Sequence, residues 1–150
     1  MKSTDNQIQR AFTLFESYLK KQSLKLTKQR QEILTQFLNS KKHISAEDLH
    51  LSFKKTNSKI GFSTVYRTLK LLNDCGLARE HQFGDRYTRY ENSFETNHHD
   101  HLICTECGKI IEFESIEIEN LQEKIAEENN FKIIDHKLEL YGICNDHNSI

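Results

Sequence analysis

Gly61-Phe62-Ser63-Thr64-Val65-Tyr66-Arg67-Thr68-Leu69-Lys70-Leu71-Leu72 reads as a helix carrying two chemistries. At about 100° per residue, Val65, Leu69 and Leu72 fall on one stripe, while Ser63, Tyr66, Arg67 and Lys70 fall on the opposite side. Leu71 fits neither. Ser63 is a candidate N-cap, and the helix is predicted to run to about Cys75. One apolar face for docking and one polar face bearing Arg and Tyr suit the major groove of DNA. There an arginine can pair guanine bidentately, and a tyrosine can reach a thymine methyl or a phosphate. Taken alone, the same pattern also fits a packed tyrosine and a surface arginine.

The flanking sequence completes such a module. Ile8, Ala11, Phe12, Phe15 and Leu19 predict an amphipathic helix over about residues 4–21. Thr27 can cap a second helix in which Ile33, Leu34, Phe37 and Leu38 face inward. Ser45-Ala46-Glu47-Asp48 resembles a capping box and opens a third, with Ala46, Leu49 and Phe53 on one side. After Gly76, residues 77–83 and 86–91 read as strands around a Gly84-Asp85 turn. Three helices followed by a hairpin predict a winged helix-turn-helix. Lys25, Lys28, Arg30, Lys54, Lys55 and Lys59 would add phosphate contacts, which give affinity without specificity.

Charge divides the chain in the same place. Residues 1–92 carry 17 Lys and Arg against 9 Asp and Glu, a net of +8, while residues 93–150 carry 4 against 13, a net of −9. A basic half suits a polyanion, and an acidic half suits cations or self-association, although two solvated surfaces would look alike. The 150 residues therefore read as two small domains, 1–92 and 98–150, with residues 92–97 as the linker. No apolar run approaches the roughly 18 residues of a membrane span, and the N-terminus has no signal-like core. The expectation is a cytoplasmic protein in which four cysteines serve metal binding or packing, not disulfides.

In the second half, residues 99–104 and 109–113 read as strands, and Ile118, Leu121 and Ile125 mark a helix over about 115–130. Residues 131–143 then alternate as a strand, with Ile134, His136, Leu138 and Leu140 on one face. The overall expectation is an α+β chain.

The second half also concentrates metal ligands. Cys104-x-x-Cys107 is a knuckle with Gly108 easing its turn; by itself it could equally be a redox pair. With Cys144 and His147 it would close a Cys3His structural zinc site. In His98-His99-Asp100-His101, an extended chain puts His99 and His101 on one face and His98 and Asp100 on the other. Two metal sites back to back follow, Glu112 joining the first and Glu119 with His136 the second. The competing readings are a histidine-rich solvated loop and, for His136, a satisfied core histidine. Imidazole with carboxylate suits Fe2+, Mn2+, Co2+ or Zn2+. Cys75, at the end of the recognition helix, reads as a small buried residue. A non-haem metalloenzyme built on two histidines and a carboxylate is the rival from another class; it leaves the basic helix-and-wing half without a role.

These residues resemble the ferric uptake regulator family. The resemblance is carried by Gly61 to Leu69, by His98-His99-Asp100-His101-Leu102-Ile103-Cys104-x-x-Cys107-Gly108-Lys109-Ile110-Ile111-Glu112-Phe113, and by His136-x4-Tyr141-Gly142-x-Cys144. Leu24 to Thr27 and His43 to Leu49 extend it over about residues 23–147. It implies a homodimeric winged-helix repressor, not an enzyme, with a C-terminal α/β dimerisation domain. It also implies an AT-rich palindromic operator of double-stranded DNA, and a dimer or a pair of dimers. DNA contacts would come from Lys25, Ser63, Thr64, Tyr66 and Arg67. The sensing site would be His43, Glu91, His99, His101 and Glu112, the second site His98, Asp100, Glu119 and His136, and the structural zinc site Cys104, Cys107 and Cys144. Where many members have a fourth cysteine, this chain has His147. Peroxide sensors of the family carry Asp at the positions of Glu91 and Glu112, so two glutamates point to Fe2+ sensing. Mn2+, Co2+ or Zn2+ are the substitutes, and manganese, zinc and peroxide sensing the alternatives.

Overall fold

The structure, a computed structural model, describes residues 2–40, 43–56, 58–84, 86–94 and 98–147, apart from the side chains of 2–5 and 147. The chain separates into two compact units, Met1–Thr96 and Asn97–Ile150. Residues 95–97 of the expected linker and Asp85 of the expected turn lie outside the described residues.

The first unit begins with α1 (Lys2–Lys21), α2 (Lys28–Asn39), β1 (Ile44–Ser45), α3 (Ala46–Lys55) and α4 (Phe62–Asp74), and ends with β2 (Ala78–His81) and β3 (Arg89–Asn92). Helical periodicity selects its core: Ala11, Phe15 and Leu19 of α1, Ile33, Leu34 and Phe37 of α2, and Val65, Leu69 and Leu72 of α4 are all fully buried. Apart from Ala11, each of these side chains contributes about 1.5–3 kcal/mol by leaving water. Leu38 is only partly buried at the edge of this core. Thr27 caps α2, its side chain accepting from the Arg30 amide at 3.3 Å. At α3 the Ser45 Oγ accepts from the Asp48 amide at 3.1 Å and donates to Asp48 Oδ2 at 2.8 Å. The short aspartate thus takes the hydroxyl proton, where a longer glutamate would reach back to the cap amide.

Three expectations are corrected here. The N-cap of α4 is Gly61, whose carbonyl accepts from the Thr64 and Val65 amides; Ser63 lies exposed inside the first turn. The hairpin strands are shorter than expected, because pairing ends at His81 opposite Arg89 and Phe83 turns away to be buried. Cys75 is partly exposed at the C-cap, its thiol donating to the Leu72 carbonyl at 3.3 Å.

β3 is the central strand of an antiparallel sheet ordered β1-β3-β2. Tyr90 faces the helical core and is fully buried, which places Glu91 on the opposite face of the sheet.

The second unit holds β4 (Asp100–Cys104), β5 (Ile110–Phe113), α5 (Ile116–Glu128), β6 (Glu139–Gly142) and a 3-10 turn, Asn145–His147. β4 is central, antiparallel to β5 and parallel to β6. The expected long strand over 131–143 is not formed: only Glu139–Gly142 is strand, and Ile134 is 95% exposed. A strand extends only as far as its partner, and β4 begins at Asp100; the His101 amide donating to Leu138 at 3.2 Å is the last rung. No helix among the described residues is long and apolar enough to cross a membrane.

Candidate metal centre

In each unit, sheet register sets a histidine beside a glutamate. In the first, β1 pairs Ile44 with Tyr90 and Ser45 with Arg89, so one further step opposes His43 to Glu91. His43 Nε2 lies 3.4 Å from Glu91 Oε2, and both side chains are largely buried. In the second, His101 stands directly opposite Glu112 across the β4–β5 ladder. His99 shares that face, its ring 5.1 Å from that of His101 and its Nε2 3.9 Å from Glu112 Oε2. The donor types, imidazole and carboxylate, suit a first-row divalent cation.

The opposite face of the same strand gathers His98, Asp100, Glu119 and His136, one ligand atom from each lying within 4.8 Å of all the others. His136 Nε2 is 3.2 Å from Glu119 Oε1 and 3.7 Å from Asp100 Oδ1. His98 Nδ1 is 3.9 Å from each of those carboxylates, and the two imidazole rings are 4.1 Å apart. Asp100 is 1% exposed, and neither carboxylate oxygen has a hydrogen bond among the described residues. A buried carboxylate without donors is costly, and a cation between it and the two imidazoles would remove the cost. His136 belongs here, not to an apolar core.

Cys104, Cys107 and Cys144 converge at the end of the sheet. Gly108, at φ 71, lets the chain turn back: its amide donates to the Cys104 carbonyl at 2.9 Å, and the Cys104 amide donates to the Lys109 carbonyl at 2.9 Å. Cys107 Sγ and Cys144 Sγ lie 3.7 Å apart, close to the about 3.8 Å that tetrahedral zinc with bonds near 2.3 Å imposes on its sulfurs. Backbone amides, first that of Cys144 and then that of Cys107, hold the Cys104 thiol down at about 6, where 9.0 is ordinary. Burial pushes the Cys144 thiol up. The trio therefore presents a ready thiolate beside two further sulfurs, which fits zinc. Lys109 ties the knuckle to the C-terminal turn through Asp146 at 2.9 Å. The His147 side chain, the expected fourth ligand, lies outside the described residues.

On α4, Ser63, Tyr66 and Arg67 are exposed and Thr64 is half-buried; Lys25 is exposed ahead of α2. Lys70 is drawn off that face by Glu80 of β2, at 2.6 Å.

Two features escape a motif reading. Phe62 is 40% exposed beside Tyr66, with ring centroids 6.4 Å apart, and lies edge-on to His50 at 5.7 Å. His81, 2% exposed, lies 2.8 Å from Glu91. No pattern within its own strand marks His81; the hairpin register sets it opposite Arg89 and so on the sheet face of Glu91.

A family model described as "Ferric uptake regulator family" matches residues 21–141. The chain is 47% identical over 120 residues to the ferric uptake regulation protein of Rhizobium leguminosarum bv. viciae, covering 80% of this chain and 84% of that one. The solved structure of the Helicobacter pylori ferric uptake regulator, described as having three functional metal binding sites, aligns with a TM-score of 0.85, 31% identity and 95% of each chain. A zinc-bound manganese uptake regulator aligns with a TM-score of 0.64 and 44% identity over 87% of this chain and 98% of that one.

Proposed function

For a chain that belongs to the ferric uptake regulator family, whose members are metal-sensing regulators and not enzymes, we propose a cytoplasmic Fe2+-dependent repressor that binds an AT-rich palindromic operator as a homodimer and controls metal-uptake genes. The reading is supported above all by the half-sites, His43 with Glu91 at 3.4 Å and His99 with Glu112 at 3.9 Å, each built by its own sheet. His43 and Glu91 of the first unit, with His99, His101 and Glu112 of the second, would hold the sensing ion. His98, Asp100, Glu119 and His136 would hold a second ion, and Cys104, Cys107 and Cys144 with His147 a structural zinc. A divalent cation held there would supply the charge that offsets the carboxylates of Glu91 and Glu112.

Ligation would make the two half-sites act as one, fixing the winged-helix unit relative to the dimerisation unit. In a dimer this sets the separation of the two α4 helices, and half-sites about 34–36 Å apart are met in one arrangement only. Coupling of about 1–3 kcal/mol gives about 5- to 150-fold control. Arg67 and Tyr66 would read base edges, Ser63, Thr64 and Lys25 the backbone.

The test is a gel-shift titration of an operator duplex with Fe2+, Mn2+ and Zn2+. His99→Ala and Glu112→Ala should abolish metal-dependent retention while leaving the fold intact by circular dichroism; undiminished metal dependence would overturn the sensing site. Arg67→Ala should cost about 1–3 kcal/mol of operator affinity and relax preference at one base pair, measured by fluorescence anisotropy at fixed salt. Manganese sensing is the second reading, favoured by the 44% identity to a manganese uptake regulator. It predicts that Mn2+ drives retention at lower concentration than Fe2+.

A further inference from the structure

His81 belongs to none of the sequence motifs, yet its ring is enclosed by Glu91, His43 and Phe83. Its Nε2 lies 2.8 Å from Glu91 Oε2, and His43 Nε2 lies 3.4 Å from that same oxygen. In the ionised form that a metal ligand needs, the Glu91 carboxylate can only accept, which makes His81 Nε2 the donor of this bond. The Phe83 ring stacks on His81 at 5.1 Å and 8°, and stands edge-on to His43 at 5.1 Å and 85°. His81 and Phe83 are 2% and 5% exposed. An apolar wall therefore sets the imidazole plane, and the N–H is aimed at one carboxylate oxygen. The sheet produces this directly. Glu91 is on the central strand, with His43 approaching from the β1 side and His81 from β2.

We infer that His81 is a positioning residue for metal sensing. It holds Glu91 by one oxygen, so that the other oxygen and the His43 imidazole are presented to the cation. This rests on the reading of Glu91 as a sensing ligand. His43 cannot perform the task, because it is assigned as a ligand itself and the nitrogen facing Glu91 is the one it would turn to the cation. His81 is outside the proposed ligand set, so its bond to Glu91 does not compete with ligation. A carboxylate fixed in this way loses less side-chain freedom on ligation, and such supporting bonds are worth about 10- to 100-fold in metal affinity.

The experiment uses the full-length, zinc-loaded protein titrated with Co2+ against a chelating dye, with the visible ligand-field spectrum recorded throughout. Glu91→Ala defines the sensing-site component as the part of binding and absorbance that it removes. His81→Leu, which fills the space but cannot donate, should weaken that component about 10- to 100-fold. His81→Gln, which retains an N–H donor, should recover most of the loss, and the band shape should match the parent in both. Thermal unfolding of the metal-free variants reports the fold; should His81→Leu not fold, His81→Asn, too short to reach Glu91, takes its place. Parental affinity in His81→Leu overturns the inference, as does equal loss in His81→Gln. A changed ligand-field spectrum in His81→Gln makes His81 a ligand and overturns the positioning role. If Glu91→Ala itself removes nothing, the sensing-site reading has failed, and the inference with it.

Discussion

At the scale of single residues, backbone geometry does much of the chemical work. Cys104 is 5% exposed, yet its sulfur is ringed by amides of the knuckle and of Cys144, and these favour thiolate over thiol. A thiol with a folded pKa near 6 against an ordinary 9.0 stabilises the metal-free fold fully above about pH 9 and loses that contribution as pH falls through about 6. In the zinc-free protein, thiolate absorbance at 240 nm should therefore begin to rise near pH 6, and Cys104→Ser should remove that first step. A single rise near pH 9 in the parent would show that the amides do not organise the sulfur. Some of this was legible in advance: Cys-x-x-Cys followed by Gly announces a knuckle, and alternation correctly divided His98 to His101 between two faces. His81 was not legible, because its role comes from a neighbour ten positions away, and only the register of the hairpin places the two together.

At the scale of elements, the C-terminal ends of α1, α4 and α5 follow one device. The Leu77 amide donates to the Leu72 carbonyl at 2.9 Å and the Gly76 amide to Asn73 at 3.1 Å, closing α4 through Gly76 at φ 82. Leu24 to Leu19 at 2.8 Å closes α1 through Ser23 at φ 57, and Phe131 to Ala126 at 2.8 Å closes α5 through Asn130 at φ 54. Gly76 stands between the recognition helix and the wing, so Gly76→Ala should cost about 1–2 kcal/mol of left-handed strain. Urea unfolding would show it as a lowered midpoint at unchanged slope; an unaltered midpoint would mean that the turn relaxes. Helix positions could be read from the sequence because 3.6-residue periodicity is a local signal. Strand length could not, because it belongs to the partner: residues 131–138 alternate convincingly but have no strand beside them among the described residues, β4 starting only at Asp100.

For the molecule as a whole, the decisive surface is the one that a single chain leaves uncovered. The periodicity of Ile118, Leu121 and Ile125 correctly marks α5, but Leu121 is 58% and Ile125 52% exposed, so that stripe is not the core of this unit. On the sheet, Leu102, Ile111 and Leu140 are 40%, 43% and 44% exposed and line a groove of about 420 Å³ with Tyr141 and Ile143. A unit of about fifty residues with so small a core gains most from pairing with its own copy, which is the physical case for the proposed homodimer. A two-fold interface presents the same patch from both chains, so one substitution acts twice. Leu102→Glu should place like charges near each other across the axis and halve the apparent mass on size exclusion with light scattering, while Leu51→Glu, at a leucine 51% exposed in the first unit, should leave the mass unchanged. Operator binding should fall with the dimer, because each half-site alone retains only the phosphate contacts and base contacts of one α4. A Leu102→Glu protein that stays dimeric would move the interface off this sheet.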